Sequence, residues 1–129
     1  MQPLFRKFRE LFYGVKTFDR RKYIRYEPKR HIECVCFYTI SGRQTECRID
    51  IVNISKGGLL MVTGEQRIYP GAEVEIKFQL SPQYVISIQG MIGRTYRKQG
   101  KKWHYSTVEF QNPEEKGIQL VLDFALGKS

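Results

Sequence analysis

The side chains best suited to holding a ligand in this chain are arginines crowded into one short run, Arg20-Arg21-Lys22-Tyr23-Ile24-Arg25, and a polar stretch further on, Asn53-Ile54-Ser55-Lys56-Gly57-Gly58. A guanidinium is planar and always charged. It can donate two parallel hydrogen bonds to guanine O6 and N7, pair with phosphate oxygens, or lie flat on a purine. Lysine does only the phosphate task well, so the choice of arginine at Arg20, Arg21 and Arg25 says more than positive charge alone. In the second stretch Asn53 and Ser55 are two residues apart and share one face of a strand, and Gly57 and Gly58 let a ligand approach the backbone. The first stretch reads as a clamp and the second as the floor beneath it.

Arg21-x-x-x-Arg25 followed by Asn53-x-Ser55-x-x-Gly58 resembles the paired signature of the PilZ family, bacterial receptors for the second messenger cyclic di-GMP. Each half alone is weak. The pair has the right order, a suitable separation and Gly-Gly-Leu after the serine, and the resemblance covers roughly Asp19 to Phe110. It implies that the arginines wrap over the ligand, that Asn53 and Ser55 bond a guanine, and that Gly57 and Gly58 leave room for it. Asn53 stands where the family often has aspartate, which removes a charge, keeps an acceptor and adds a donor. Arg20 precedes the motif, and relatives with arginine there tend to hold two intercalated ligands, so the resemblance implies a ligand dimer. Four phosphate charges in one site call for added positive charge nearby. Arg94 is a weaker candidate for a stacking or phosphate contact, since nothing local sets it apart from Arg97.

Other chemistries find little support. His31 and His104 are the chain's two histidines, no local signature marks a nucleophile, and the Gly-Lys-Ser/Thr ending of a phosphate-binding loop is absent. The reading is therefore a receptor and not an enzyme, with no cofactor beyond the ligand. Cys34, Cys36 and Cys47, an odd number without a secretory leader, fit buried free thiols in a reducing cytoplasm. A metal site built from them with His31 would not follow a recurrent zinc spacing. The formal charge of +9 over 129 residues favours an anionic partner: nucleotide, nucleic acid or acidic membrane surface. The alternative function is a small basic barrel that binds single-stranded nucleic acid on exposed aromatics such as Tyr23, Tyr96 and Trp103. Against it stands the packing of three arginines into six residues opposite an Asn-x-Ser pair.

The elements that must position these groups follow from periodicity. With 41% apolar and 27% charged residues, the composition is that of one globular domain with extensions. Residues 1–18 place Leu4, Phe5, Phe8, Leu11, Phe12 and Val15 at helical intervals between basic residues, which predicts an amphipathic helix. That helix docks on its own domain or on a second subunit, or it lies at a membrane surface. The site arginines fall on the linker after it, where Glu27-Pro28 opposes helix. Residues 19–112 then read as short β runs: 31–40, a turn at Ser41-Gly42, 43–52, 59–63, a turn at Pro70-Gly71, 72–80, 84–97, a basic turn at 98–101, and 102–110. Six strands about ten residues apart suggest an antiparallel sheet closed into a small barrel, the architecture that the resemblance also implies. Residues 113–129 predict a C-terminal helix, with Asn112 as cap, Pro113 first, and Ile118, Val121, Leu122 and Ala125 on its apolar face. The expected protein is cytoplasmic, with peripheral contact at the membrane as the alternative that the N-terminal helix offers, and passes the ligand signal to an unidentified protein partner by conformational change.

Overall fold

The computed structural model describes residues 23–128. The expected helix over residues 1–18 and the two arginines Arg20 and Arg21 lie outside the described residues.

Six strands and one helix follow in order: β1 (Glu33–Ile40), β2 (Arg43–Ile54), β3 (Gly58–Val62), β4 (Glu73–Ser81), β5 (Tyr84–Arg97), β6 (His104–Phe110) and α1 (Lys116–Ala125). Alternation decides which face each strand buries. Cys34, Cys36 and Tyr38 of β1, Val74, Ile76 and Phe78 of β4, Ile86, Ile88 and Ile92 of β5, and Val108 and Phe110 of β6 all enter one core. The strands pair antiparallel in the cyclic order β1-β2-β3-β6-β5-β4, a closed barrel, so the expected six-stranded architecture is found. Ser41 and Gly42 both take positive φ, as a two-residue hairpin between right-twisted strands requires.

Strands β1 and β6 start two residues later than expected and β3 and β4 shift by one, and two further differences bear on the site. Strand β2 runs on to Ile54, because Ile54 pairs with Leu59 on one side and forms an isolated bridge with Tyr26 on the other. The helix starts at Lys116 and not at Pro113. Asn112 does not cap it: the Asn112 side-chain oxygen accepts the N–H of Glu114 at 3.2 Å and its carbonyl accepts that of Glu115 at 3.0 Å, which folds Pro113 and Glu114 into a separate turn. Glu115 takes the cap position without a side-chain bond. The far end is as expected, with Gly127 at φ 82°. There Lys128 N–H reaches back to Asp123 O and Gly127 N–H to Phe124 O, so two terminal carbonyls are satisfied.

The helix presents Ile118, Val121, Leu122 and Ala125 to the core and packs against β5 and β4. Gly117 sits so close that a Cβ there would meet Ile86 Cγ2 at 2.9 Å. The segment ahead of β1 is held at both ends. Tyr26 and Ile54 exchange two backbone hydrogen bonds of 2.8 Å, and Lys29 N–H donates to Ala125 O at 2.7 Å, with the Arg30 guanidinium 4.4 Å from the Phe124 ring. Among the described residues, no helix is long and apolar enough to cross a membrane.

Candidate functional site

The backbone bridge between Tyr26 and Ile54 brings the last arginine of the clamp beside the first residue of the floor. Arg25 Nη1 donates to Asn53 Oδ1 at 2.7 Å, joining residues 28 apart in sequence. Asn53 can meet it only because β2 is irregular. Cys47 and Ile49 point into the barrel, and on a regular strand Asn53 would follow them inward. The register with β3 shifts between Ile51 and Asn53, so Val52 is an extra residue that reverses the alternation. Ile54 is then fully buried and Asn53 comes out to a half-buried position beside Arg25, though it does not itself line the cavity of the site.

Ser55 plays a different part from its neighbour. Only 4% exposed, its hydroxyl accepts the N–H groups of Gly57 at 3.1 Å and Gly58 at 3.2 Å and lies 3.2 Å from Gly58 O. Ser55 N–H closes the same turn on Gly58 O at 2.8 Å. The side chain therefore builds the turn between β2 and β3, where the sequence led us to expect Asn53 and Ser55 to face a ligand together. The glycines also divide. A Cβ on Gly58 would lie 2.1 Å from Val108 O, so its missing side chain admits the backbone of β6. A Cβ on Gly57 would lie 2.7 Å from the Tyr23 ring, so Tyr23 fills the space over Gly57.

These groups line one side of a cavity of about 440 Å³, within the usual range for small-molecule sites. Tyr23, Arg25, Ser55, Gly57 and Gly58 form that side; Gly93, Thr107, Val108, Glu109, Phe110 and Pro113 complete it from β5, β6 and the turn before α1. The second group was not anticipated. Gly93 lies in the β5–β6 irregularity between Ile92 and Thr95, and the two glycines of the β5 run, Gly90 and Gly93, were the available signal. Arg94 donates its backbone N–H to Thr107 Oγ1 at 2.9 Å, while its guanidinium lies over the Tyr96 ring and away from the cavity lining. Lys56 pairs with Glu114 at 3.2 Å on the exposed rim.

The three cysteines are buried free thiols, as expected. Burial pushes the Cys34 and Cys36 thiols up to about 12. Cys34 Sγ lies 3.3 Å from Ile32 O, and His31 is exposed beside Glu33, so these residues do not converge on one point.

Residues 19–127 match the PilZ domain model, and the chain belongs to that family. No curated protein is similar to it in sequence. Among solved structures, the motility inhibitor MotI/DgrA of Bacillus subtilis is similar at 18% identity and a TM-score of 0.63, covering 85% of this chain and 51% of that one. The PilZ domain of YcgR from Escherichia coli, solved with c-di-GMP, has a TM-score of 0.59 at 14% identity, with 83% and 89% covered. The K. pneumonia MrkH–c-di-GMP complex has a TM-score of 0.61 at 18% identity, with 82% and 52% covered. The chain thus spans about half the length of MotI/DgrA and MrkH, and at these identities the likeness establishes the fold.

Proposed function

We propose that this chain is a cyclic di-GMP receptor that binds through Arg20, Arg21, Arg25 and Asn53, on a turn held open by Ser55, Gly57 and Gly58. The observation that carries this reading is the 2.7 Å hydrogen bond from Arg25 to Asn53 at a cavity of about 440 Å³. It joins the two sequence motifs in space, with a guanidinium and a neutral amide where a guanine edge and a phosphate need donors and an acceptor. The family match supports it, as do YcgR and MrkH, whose structures contain c-di-GMP. Ser55 acts by fixing the turn, and Tyr23 must leave its place over Gly57 for a base to settle there. The three arginines serve two stacked ligands, and the bound state passes to a protein partner through the segment that carries them. The chain performs no catalysis of its own.

Calorimetry with cyclic di-GMP, alongside single-stranded oligonucleotides of matched charge, tests the reading. The expected result is saturable binding of cyclic di-GMP at two per chain, reduced toward one in Arg20→Ala, with oligonucleotides bound more weakly and in a salt-dependent way. Oligonucleotides bound as tightly as the dinucleotide would replace this reading with the nucleic-acid one. Hydrogen exchange over residues 4–28 reads the relay: protection unchanged by ligand would remove it.

A further inference from the structure

The β5–β6 hairpin carries a surface that the ligand site does not use. From Gly93 to Val108 the chain has Arg94, Arg97, Lys98, Lys101 and Lys102 and not one Asp or Glu, so five cations of a chain with net charge +9 sit on one hairpin. All five are exposed, and no described carboxylate pairs with any of them. Residues 97–103 form an unbroken exposed end, closed by Trp103, which is 47% exposed although it is a large apolar ring.

Below this end lies a rigid base. Tyr96 and Tyr105 are direct cross-strand partners whose rings stack at 5.5 Å and 13°. The Arg94 guanidinium sits 4.9 Å from the Tyr96 ring centroid, and the Lys98 ammonium 4.6 Å from that of Tyr105. Both rings are therefore engaged by each other and by cations, which withdraws them as stacking platforms for the bases of a single strand. What remains at the hairpin end is Lys101 and Lys102, exposed and next in the chain to the exposed Trp103 indole. An indole with an apolar body and a polar N–H, beside two lysines, suits the boundary between headgroups and acyl chains of an anionic bilayer.

We propose that the end of the β5–β6 hairpin is a docking surface for an anionic lipid bilayer, with Lys101 and Lys102 against headgroups and Trp103 in the interface. Because Trp103 is the chain's one tryptophan, its emission reports this contact and no other. The experiment titrates the full chain with vesicles of phosphatidylcholine alone and of an equal mixture with phosphatidylglycerol, following Trp103 emission and co-sedimentation. A blue shift with the anionic vesicles and none with the neutral ones is expected. In Lys101→Gln/Lys102→Gln the lipid concentration at half-shift should rise roughly 25-fold, about fivefold per lysine. Co-sedimentation without a change in emission would overturn the proposal, since another part of the chain would then be docking. So would an equal shift with neutral vesicles, and so would a shift given by polyglutamate or an oligonucleotide but not by vesicles. Should the double variant fail to fold, the wild-type emission arm decides alone.

Discussion

Arg25 and Ser55 sit in one cavity yet hold opposite positions with respect to solvent and partners, and their substitutions separate accordingly. Arg25 is half-buried at the mouth with Nη1 on Asn53. On the proposed reading, replacing it by Ala removes a charge-assisted contact to cyclic di-GMP, which should cost about 1.5 to 3 kcal/mol, a ten- to hundredfold loss of affinity, at a nearly unchanged urea midpoint. Ser55→Ala takes the acceptor from the N–H groups of Gly57 and Gly58 in a buried turn, so it should lower stability by about 1 to 3 kcal/mol and weaken binding only through the turn. Calorimetry and urea unfolding on both variants check the division. Loss of stability in Arg25→Ala, or loss of affinity without loss of stability in Ser55→Ala, would exchange the two roles. The buried thiols carry a further expectation. Cys34 and Cys36 ionise at about 12 in the folded chain against an ordinary 9.0, because burial disfavours the thiolate. The unfolded chain therefore loses these protons first as pH rises, so their contribution is whole below about pH 9 and declines between 9 and 12. Cys36→Ala should flatten the alkaline fall of the urea midpoint over that window, whatever it costs at neutral pH.

Elements explain what the sequence disclosed and what it hid. Strand β5 was legible to the residue, and in β4 the alternation of Val74, Ile76, Phe78 and Leu80 points inward, the first three buried and Leu80 partly so, because period two is a direct projection of one buried face. The extra residue at Val52 was not legible. A bulge is settled by pairing with β3, and no local residue type announces it, yet it is what turns Asn53 outward. Asn112-Pro113-Glu114-Glu115 misled for a related reason, since an Asn-Pro pair suits a turn as well as a cap, and the helix began only where Ile118 could reach the core. The glycine pair was recognised, but its two members do different work. Gly58→Ala would drive a Cβ into the Val108 carbonyl, a backbone group that cannot swing aside, and should cost about 3 kcal/mol or more or prevent folding. Gly57→Ala meets only the Tyr23 ring, which can swing aside, so its stability should stay within about 1 kcal/mol of wild type. Thermal unfolding of the two variants tests the contrast, and equal losses would refute it.

At the scale of the whole molecule, the closed barrel is a fixed frame and the segment ahead of β1 is strapped across it. One buckle is the pair of hydrogen bonds between Tyr26 and Ile54, beside Arg25 and the ligand cavity; the other is Lys29 N–H on Ala125 O, at the last turn of α1. Two residues, Glu27 and Pro28, lie between Tyr26 and Lys29, so a fully extended chain of three links reaches only about 10 Å between them. A displacement of Tyr26 beyond that reach must either break the Lys29 bond or pull on the end of α1, where Arg30 also rests on Phe124. The candidate cavity and the helix terminus are thus joined through three links of backbone, and lengthening that strap by inserted glycines would let either end move without the other while leaving both buckles fastened.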